Sequence, residues 1–199
     1  MDKIKVGTTK PKNGKSESMN KPTILFDKDG TLIDTEKHYH TAWLSAFQEY
    51  GFPVTPEIAL KYRSFGKPFA EEYTKELIGP DADINEIRRL RDRVFFDLLD
   101  KYGIELKPYA KETLEHLKKK GHRMVIVTAS TRERAIDELT KLQLLDYFDE
   151  IVSAKTLEQG KPAPDCYLHA CRILGIDPAD TYAVEDSPNG VESAWRAGC

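Results

Sequence analysis

The first apolar segment of the chain, Thr23 to Phe26, is short, contains β-branched residues and stops abruptly at Asp27-Lys28-Asp29-Gly30-Thr31. A buried strand that ends in a polar loop reads this way. From about Thr35 to Tyr102 the pattern turns helical. Trp43, Phe47 and Tyr50 recur at spacings of four and three, and breaks near Pro53, Pro56, Gly66 and Pro80 divide the stretch into about four helices. From Pro108 onward the pattern alternates. It predicts helix near Lys111 to Lys120, strand over Met124 to Val127, helix over Arg132 to Leu142, strand over Glu150 to Ser153, helix over Asp165 to Leu174 and strand over Tyr182 to Val184.

Repeated strand–helix alternation implies a parallel sheet, so the fold class is α/β. One strand precedes the helical block and several follow it, which makes the block an insertion into the α/β core, placed to act as a lid. The expected organisation is a disordered tail or leader over residues 1–21, a core built from 22–34 and 106–199, and a helical cap over 35–105. The sequence stops at Ala197-Gly198-Cys199, just past a helix that in such an alternation leads into another strand. A C-terminal strand of the core is therefore expected to be missing.

Composition narrows the class. A chain of 199 residues can bury one good core with length left for a small insert. Formal charge is −3, but residues 1–21 hold six lysines against Asp2 and Glu17, a tail of +4 on a body of −7. An acidic body argues against nucleic acid, and the lysine-rich start has neither arginine nor aromatics to read as a binding arm. Cys166, Cys171 and Cys199 form no CxxC pair and no metal spacing, which fits a reducing cytoplasm. No stretch approaches the roughly 18 apolar residues of a membrane helix, so no membrane partner is expected.

Ligands of open parallel sheets sit beyond the carboxyl ends of the strands, and each strand here delivers polar groups to that edge. The first delivers Asp27 and Asp29; continued extended geometry would put both on one side with Lys28 turned away. Two carboxylates in one space repel unless a cation lies between them or their pKa values split, which separates a nucleophile from an acid–base group. Taken alone, the pair reads equally as a turn cap or a calcium loop. The strand from Met124 ends in Thr128-Ala129-Ser130, whose hydroxyl and amides suit a phosphate oxygen, or whose Thr128 caps the next helix. Gly160-Lys161-Pro162-Ala163-Pro164-Asp165 stiffens the backbone around one lysine, and the last strand ends in Glu185-Asp186, suited to magnesium.

The run Phe26 to Glu36, with the Thr128, Lys161 and Glu185-Asp186 segments in order after it, resembles the haloacid dehalogenase-like hydrolase superfamily over residues 22–199. Gly-Lys-Pro-x-Pro-Asp and Glu-Asp-Ser resemble its helical-cap subgroup of sugar phosphatases, phosphoglycolate phosphatases and β-phosphoglucomutases. The resemblance implies a Rossmann-like parallel sheet core with an inserted all-helical cap, acting on a small phosphorylated metabolite as a monomer or weak dimer. It implies that Asp27 attacks phosphorus, forming an aspartyl-phosphate. Asp29 then serves as acid and base, and Thr128, Ala129, Ser130 and Lys161 hold the phosphoryl oxygens. Mg2+ would bind Asp27, Asp186, the Asp29 carbonyl and Glu185.

Three departures refine this expectation. Asp29 stands where the superfamily's dehalogenases and phosphonate hydrolases lack an acid, which favours phosphate esters. Lys28 is shared with ion-pumping ATPases, but Asp29 replaces their threonine and no membrane segment is present. β-Phosphoglucomutases carry a histidine where this chain has Tyr39 and a cap arginine where it has Phe69, so hydrolysis is favoured over the alternative of phosphosugar mutase chemistry. A further alternative is a truncated, catalytically impaired protein of the same fold. Arg63, Ser64, Phe65, Gly66 and Lys67 are the lid-loop candidates, with Arg63 and Lys67 as substrate contacts, and His38 or His40 either faces the cleft or lies on a solvated helix face.

Overall fold

A computed structural model describes residues 21–199, so the expected tail lies almost wholly outside the described residues. Strand β1 (Thr23–Phe26) is followed by four helices: α1 (Glu36–Glu49), α2 (Pro56–Lys61), α3 (Phe69–Ile78) and α4 (Ile84–Tyr102). Then come α5 (Ala110–Lys119), β2 (Met124–Thr128), α6 (Arg132–Lys141), β3 (Glu150–Ser153), α7 (Asp165–Leu174), β4 (Thr181–Val184) and α8 (Pro188–Ala197).

The four strands form one parallel sheet in the order β3-β2-β1-β4, with Leu25 level with Val125 on one side and Ala183 on the other. Successive strand side chains point to opposite faces, so the apolar run of β1 serves two cores. Ile24 and Phe26 pack with Leu114, Ile126 and Leu139 beneath α5 and α6, while Leu25 packs with Val125, Tyr167 and Ala194 beneath α7 and α8. Chain order reverses beside β1, since β2 lies on one side and β4 on the other. That is the crevice where open α/β sheets take ligands.

Helices α1 to α4 leave the sheet between β1 and α5 and have a core of their own, built on Trp43, Phe47, Tyr62, Ile84 and Ile87. The break expected near Pro53 and Pro56 lies between α1 and α2, and Pro56 itself occupies the first turn of α2 behind the Thr55 cap, where its missing N–H costs nothing. Strand β2 runs one residue further than its apolar pattern predicts and includes Thr128. The helix cap at this point is Thr131, whose Oγ1 accepts from the Arg134 amide at 3.3 Å. No helix among the described residues is long and apolar enough to cross a membrane.

Candidate active site

Asp27 follows β1 directly and is 4% exposed; its amide donates to the Val184 carbonyl of β4 at 3.0 Å, so sheet pairing fixes where the carboxylate stands. Its Oδ1 accepts from Lys161 Nζ at 2.7 Å. Lys161 also pairs with Glu185, whose Oε1 takes a second hydrogen bond from the Tyr167 hydroxyl. Asp27, Glu185 and Asp186 offer ligand atoms that all lie within 4.8 Å of one another.

Each of these three acids keeps one buried oxygen with no partner among the described residues: Asp27 Oδ2, Glu185 Oε2 and Asp186 Oδ1. A buried, unpaired carboxylate oxygen is costly, and three together form the oxygen-rich donor set of a hard divalent cation. The residues therefore fit magnesium. Gly30 permits the close approach: its φ is +84°, and a Cβ there would lie 1.9 Å from Asp186 Oδ2.

The two aspartates of the first motif sit in opposite electrostatic settings. Burial pushes the Asp27 carboxyl up to about 7; Lys161 pulls it down, and the neighbouring Glu185 and Asp29 push it up again. A divalent cation relieves that repulsion and favours the Asp27 anion. Burial also acts upward on Asp29, but Lys28, Arg134 and hydrogen bonds from Lys28 and Thr35 outweigh it and hold it at about 2. Asp29 Oδ1 accepts from Thr35 Oγ1 at 2.7 Å and Oδ2 from Ser130 Oγ at 3.0 Å. Its carboxylate lies outside the Asp27–Glu185–Asp186 group, which leaves the carbonyl as the atom the resemblance assigns to the metal.

Lys28 corrects the expectation of a side chain turned away. The chain leaves extended geometry at once, with the Lys28 carbonyl accepting from the amides of Leu32 and Ile33, and the side chain is fully buried. Its ammonium lies 2.9 Å from Asp29 Oδ2 and pairs with Glu138 of α6.

Thr128 is buried, and its Oγ1 accepts from the Ser130 amide at 3.1 Å. Ala129 and Ser130 line a cavity of about 760 Å³ together with Asp27, Asp29 and Lys161, and the opposite wall comes from the helical insert. All five lid-loop candidates, Arg63 to Lys67, line it. Arg63 Nε lies 3.0 Å from Glu36 Oε2, and its guanidinium also pairs with Asp186. The Arg63 carbonyl accepts from Asn189 Nδ2 at 2.9 Å. Two backbone bonds close the loop on the core: the Gly66 amide donates to the Lys161 carbonyl at 2.8 Å, and the Gly160 amide to the Lys67 carbonyl at 2.7 Å.

Neither histidine near the hinge lines the cavity. His38 is buried and stacks on Tyr102, because α4 packs along α1 and covers the face expected to be solvated. Phe69 stacks on Phe65 within the insert. Sequence reasoning missed Glu138, Arg134 and Tyr167. The Arg134–Glu138 spacing of four on α6 was the only available signal, and surface pairs share it.

The haloacid dehalogenase-like hydrolase family profile matches residues 24–199. A phosphorylated carbohydrates phosphatase of Thermotoga maritima is 33% identical over 181 residues, covering 88% of this chain and 81% of the relative. A β-phosphoglucomutase of Bacillus subtilis is 28% identical, covering 88% and 79%. Among solved structures, CbbY from Rhodobacter sphaeroides in complex with phosphate superposes with a TM-score of 0.68 at 27% identity, covering 89% of this chain and 83% of that one.

Proposed function

The chain belongs to the haloacid dehalogenase-like hydrolase family, and on that premise we propose that it is a phosphatase that hydrolyses a small phosphate monoester through an aspartyl-phosphate on Asp27. The observation that carries this reading is the setting of the Asp27 carboxylate: it lines the cavity beneath the insert, with Lys161 Nζ 2.7 Å from its Oδ1 and the Glu185 and Asp186 carboxylates beside it. A carboxylate held in place by a lysine next to a cation-binding acidic cluster is positioned to attack a phosphorus bound in that cavity.

Lys161, the Thr128 hydroxyl and the Ala129 amide neutralise charge on the transferring oxygens, the main source of rate in phosphoryl transfer, with the Ser130 amide holding Thr128 Oγ1 in place. Asp29 protonates the leaving oxygen and then takes a proton from the water that cleaves the acyl phosphate. Its resting environment favours the anion, the form required for the second step. Asp27, Asp186, Glu185 and the Asp29 carbonyl would hold Mg2+, which when bound supplies positive charge to the phosphoryl oxygens. The helical insert excludes water and carries Arg63 and Lys67 to the substrate.

Hydrolysis is favoured over mutase chemistry by Tyr39. Its hydroxyl accepts from Arg134 Nη1 at 2.8 Å, and burial pushes its pKa well above the ordinary value. Such a group supplies no proton shuttle at neutral pH. Three unpaired cysteines accord with a cytoplasmic setting.

The test is phosphate release from phosphorylated sugars, phosphoglycolate and p-nitrophenyl phosphate, with and without magnesium, for the wild type and Asp27→Asn. Magnesium-dependent release that disappears in a folded Asp27→Asn protein is the expected result. Release that survives the substitution would remove Asp27 from the chemistry.

A further inference from the structure

Charge is unevenly shared within the cavity under the insert. Near Asp27 and Asp29 each lining cation has carboxylate partners: Lys161 with Asp27 and Glu185, Arg63 with Glu36 and Asp186, Arg134 with Glu138. Lys67, Arg88, Arg91 and Lys155 line the same cavity from the insert and from the loop after β3, and the carboxylates of Asp92, Glu133 and Asp137 line it as well. Among the described residues only Arg91 of these four has a carboxylate partner, Asp92.

Lys155 and Arg88 each lie within electrostatic reach of other cations of this set. Burial lowers the proton affinity of Lys155, Asp92 raises it, and Arg91, Arg88 and Lys67 lower it further. Arg88 is likewise lowered by burial and then by Arg91, three residues along the same face of α4, against Asp92 and Glu71, which raise it. The charges that dominate at Asp27 are a different set, Lys161, Glu185 and Asp29. The charges that act on Lys155 and those that act on Asp27 are thus separate sets within one cavity.

Arg91 is also held for recognition. Its guanidinium lies 4.7 Å from the Trp43 ring centre and 5.3 Å from that of Tyr39, and its Nε is buried with no hydrogen-bond partner. Aromatic faces fix the planar group and exclude water from it, which strengthens any hydrogen bond it gives to an anion. Like charges gathered in a partly buried space repel, and an anion between them removes that cost.

We propose that Lys67, Arg88, Arg91 and Lys155 form a second anion site, so that the substrate has two anionic ends: the phosphate ester at Asp27 and a further phosphate or carboxylate beneath α4. This rests on the phosphatase reading and adds the substrate class to it. A cavity of about 760 Å³ accommodates a sugar-sized spacer between the two ends.

Paired probes test it. Fructose 1,6-bisphosphate is compared with fructose 6-phosphate for the second phosphate, and 3-phosphoglycerate with glycerol 3-phosphate for the carboxylate. Each is assayed with the wild type, Arg88→Gln and Lys155→Gln. In the wild type, kcat/KM is expected to be at least about tenfold higher for the member of one pair that carries a second anionic group, which identifies the second anion. That ratio is expected to fall by about tenfold in each variant, the loss typical of one charge-assisted contact. Lys155 is exposed on a loop, so its replacement separates anion binding from any folding defect of Arg88→Gln, which circular dichroism detects. No preference within either pair, or a preference unchanged in both variants, overturns the proposal. Release from p-nitrophenyl phosphate reports separately on the phosphatase reading. Should that fail, calorimetric titration of the same four probes into Asp27→Asn decides the anion site by affinity ratio alone.

Discussion

The Lys28 ammonium lies 2.9 Å from Asp29 Oδ2 and pairs on its other side with Glu138, with no part of its side chain exposed. One cation thereby joins the first-motif loop to α6 from inside the protein. A buried charge that loses its partner costs far more than the intact pair contributes. Lys28→Met takes a buried cation away from both carboxylates, leaving Asp29 to Thr35 and Ser130 and Glu138 to Arg134, and is expected to lower stability by about 3 kcal/mol in urea unfolding. Adding Glu138→Gln should recover part of that loss. A single variant as stable as the wild type would show that the attraction of the pair only offsets the cost of burying it.

The same contact sets a pH dependence. Asp29 titrates at about 2 in the folded protein against an ordinary 3.8, so its anion stabilises the fold. For a depressed carboxyl the contribution is complete above the unfolded value and is lost as pH falls toward the folded one. Unfolding free energy of the wild type should therefore drop between about pH 5 and pH 2 by on the order of 2 kcal/mol more than that of Asp29→Asn. Parallel curves would place Asp29 outside the ion pair. Activity of Asp29→Asn should fall by about 10²–10⁴ if the carboxyl carries both proton transfers.

The sheet and the strand-end cluster were legible because each strand run ends at a polar group and periodicity marks the strands between. Helix α7 and strand β3 begin and end where their patterns do. Lys28 was not legible, since the extended alternation used to orient it stops at the turn whose carbonyl receives Leu32 and Ile33. Glu138, Arg134 and Tyr167 lie on helices where spacing shows a face and not the partner it meets, and those partners are about 18 to 110 residues away. His38 failed for a related reason. Its exposure depends on α4, which begins 46 residues later.

Gly66 and Gly160 meet backbone to backbone: a Cβ on Gly160 would lie 2.7 Å from Gly66 Cα. Any side chain there separates the lid loop from the loop that carries Lys161. Gly160 is not in the left-handed region, so alanine strains this contact and not the turn itself. Gly160→Ala is expected to reduce kcat/KM by about tenfold or more, as misplacement of a binding loop does, while the folded state survives. Unchanged kinetics in the variant would mean that turnover does not need the closed loop pair.

The three unpartnered carboxylate oxygens predict a stability signature of metal binding that does not depend on turnover. An ion that binds only the folded protein raises its stability by RT ln(1 + [L]/Kd), about 2.7 kcal/mol at a hundredfold excess over Kd. Magnesium should therefore raise the melting temperature of the wild type in a concentration-dependent way. Asp186→Asn removes one anionic ligand while keeping the side-chain shape, so its response to magnesium should shift to higher concentration by tenfold or more. Its melting temperature without the ion combines two opposed changes, since repulsion among Asp27, Glu185 and Asp186 falls while the ion pair of Asp186 with Arg63 is lost, so the magnesium-dependent shift is the readout. A magnesium response identical in the two proteins would move the metal away from Asp186 and leave the orphaned oxygens to be explained by ordered water.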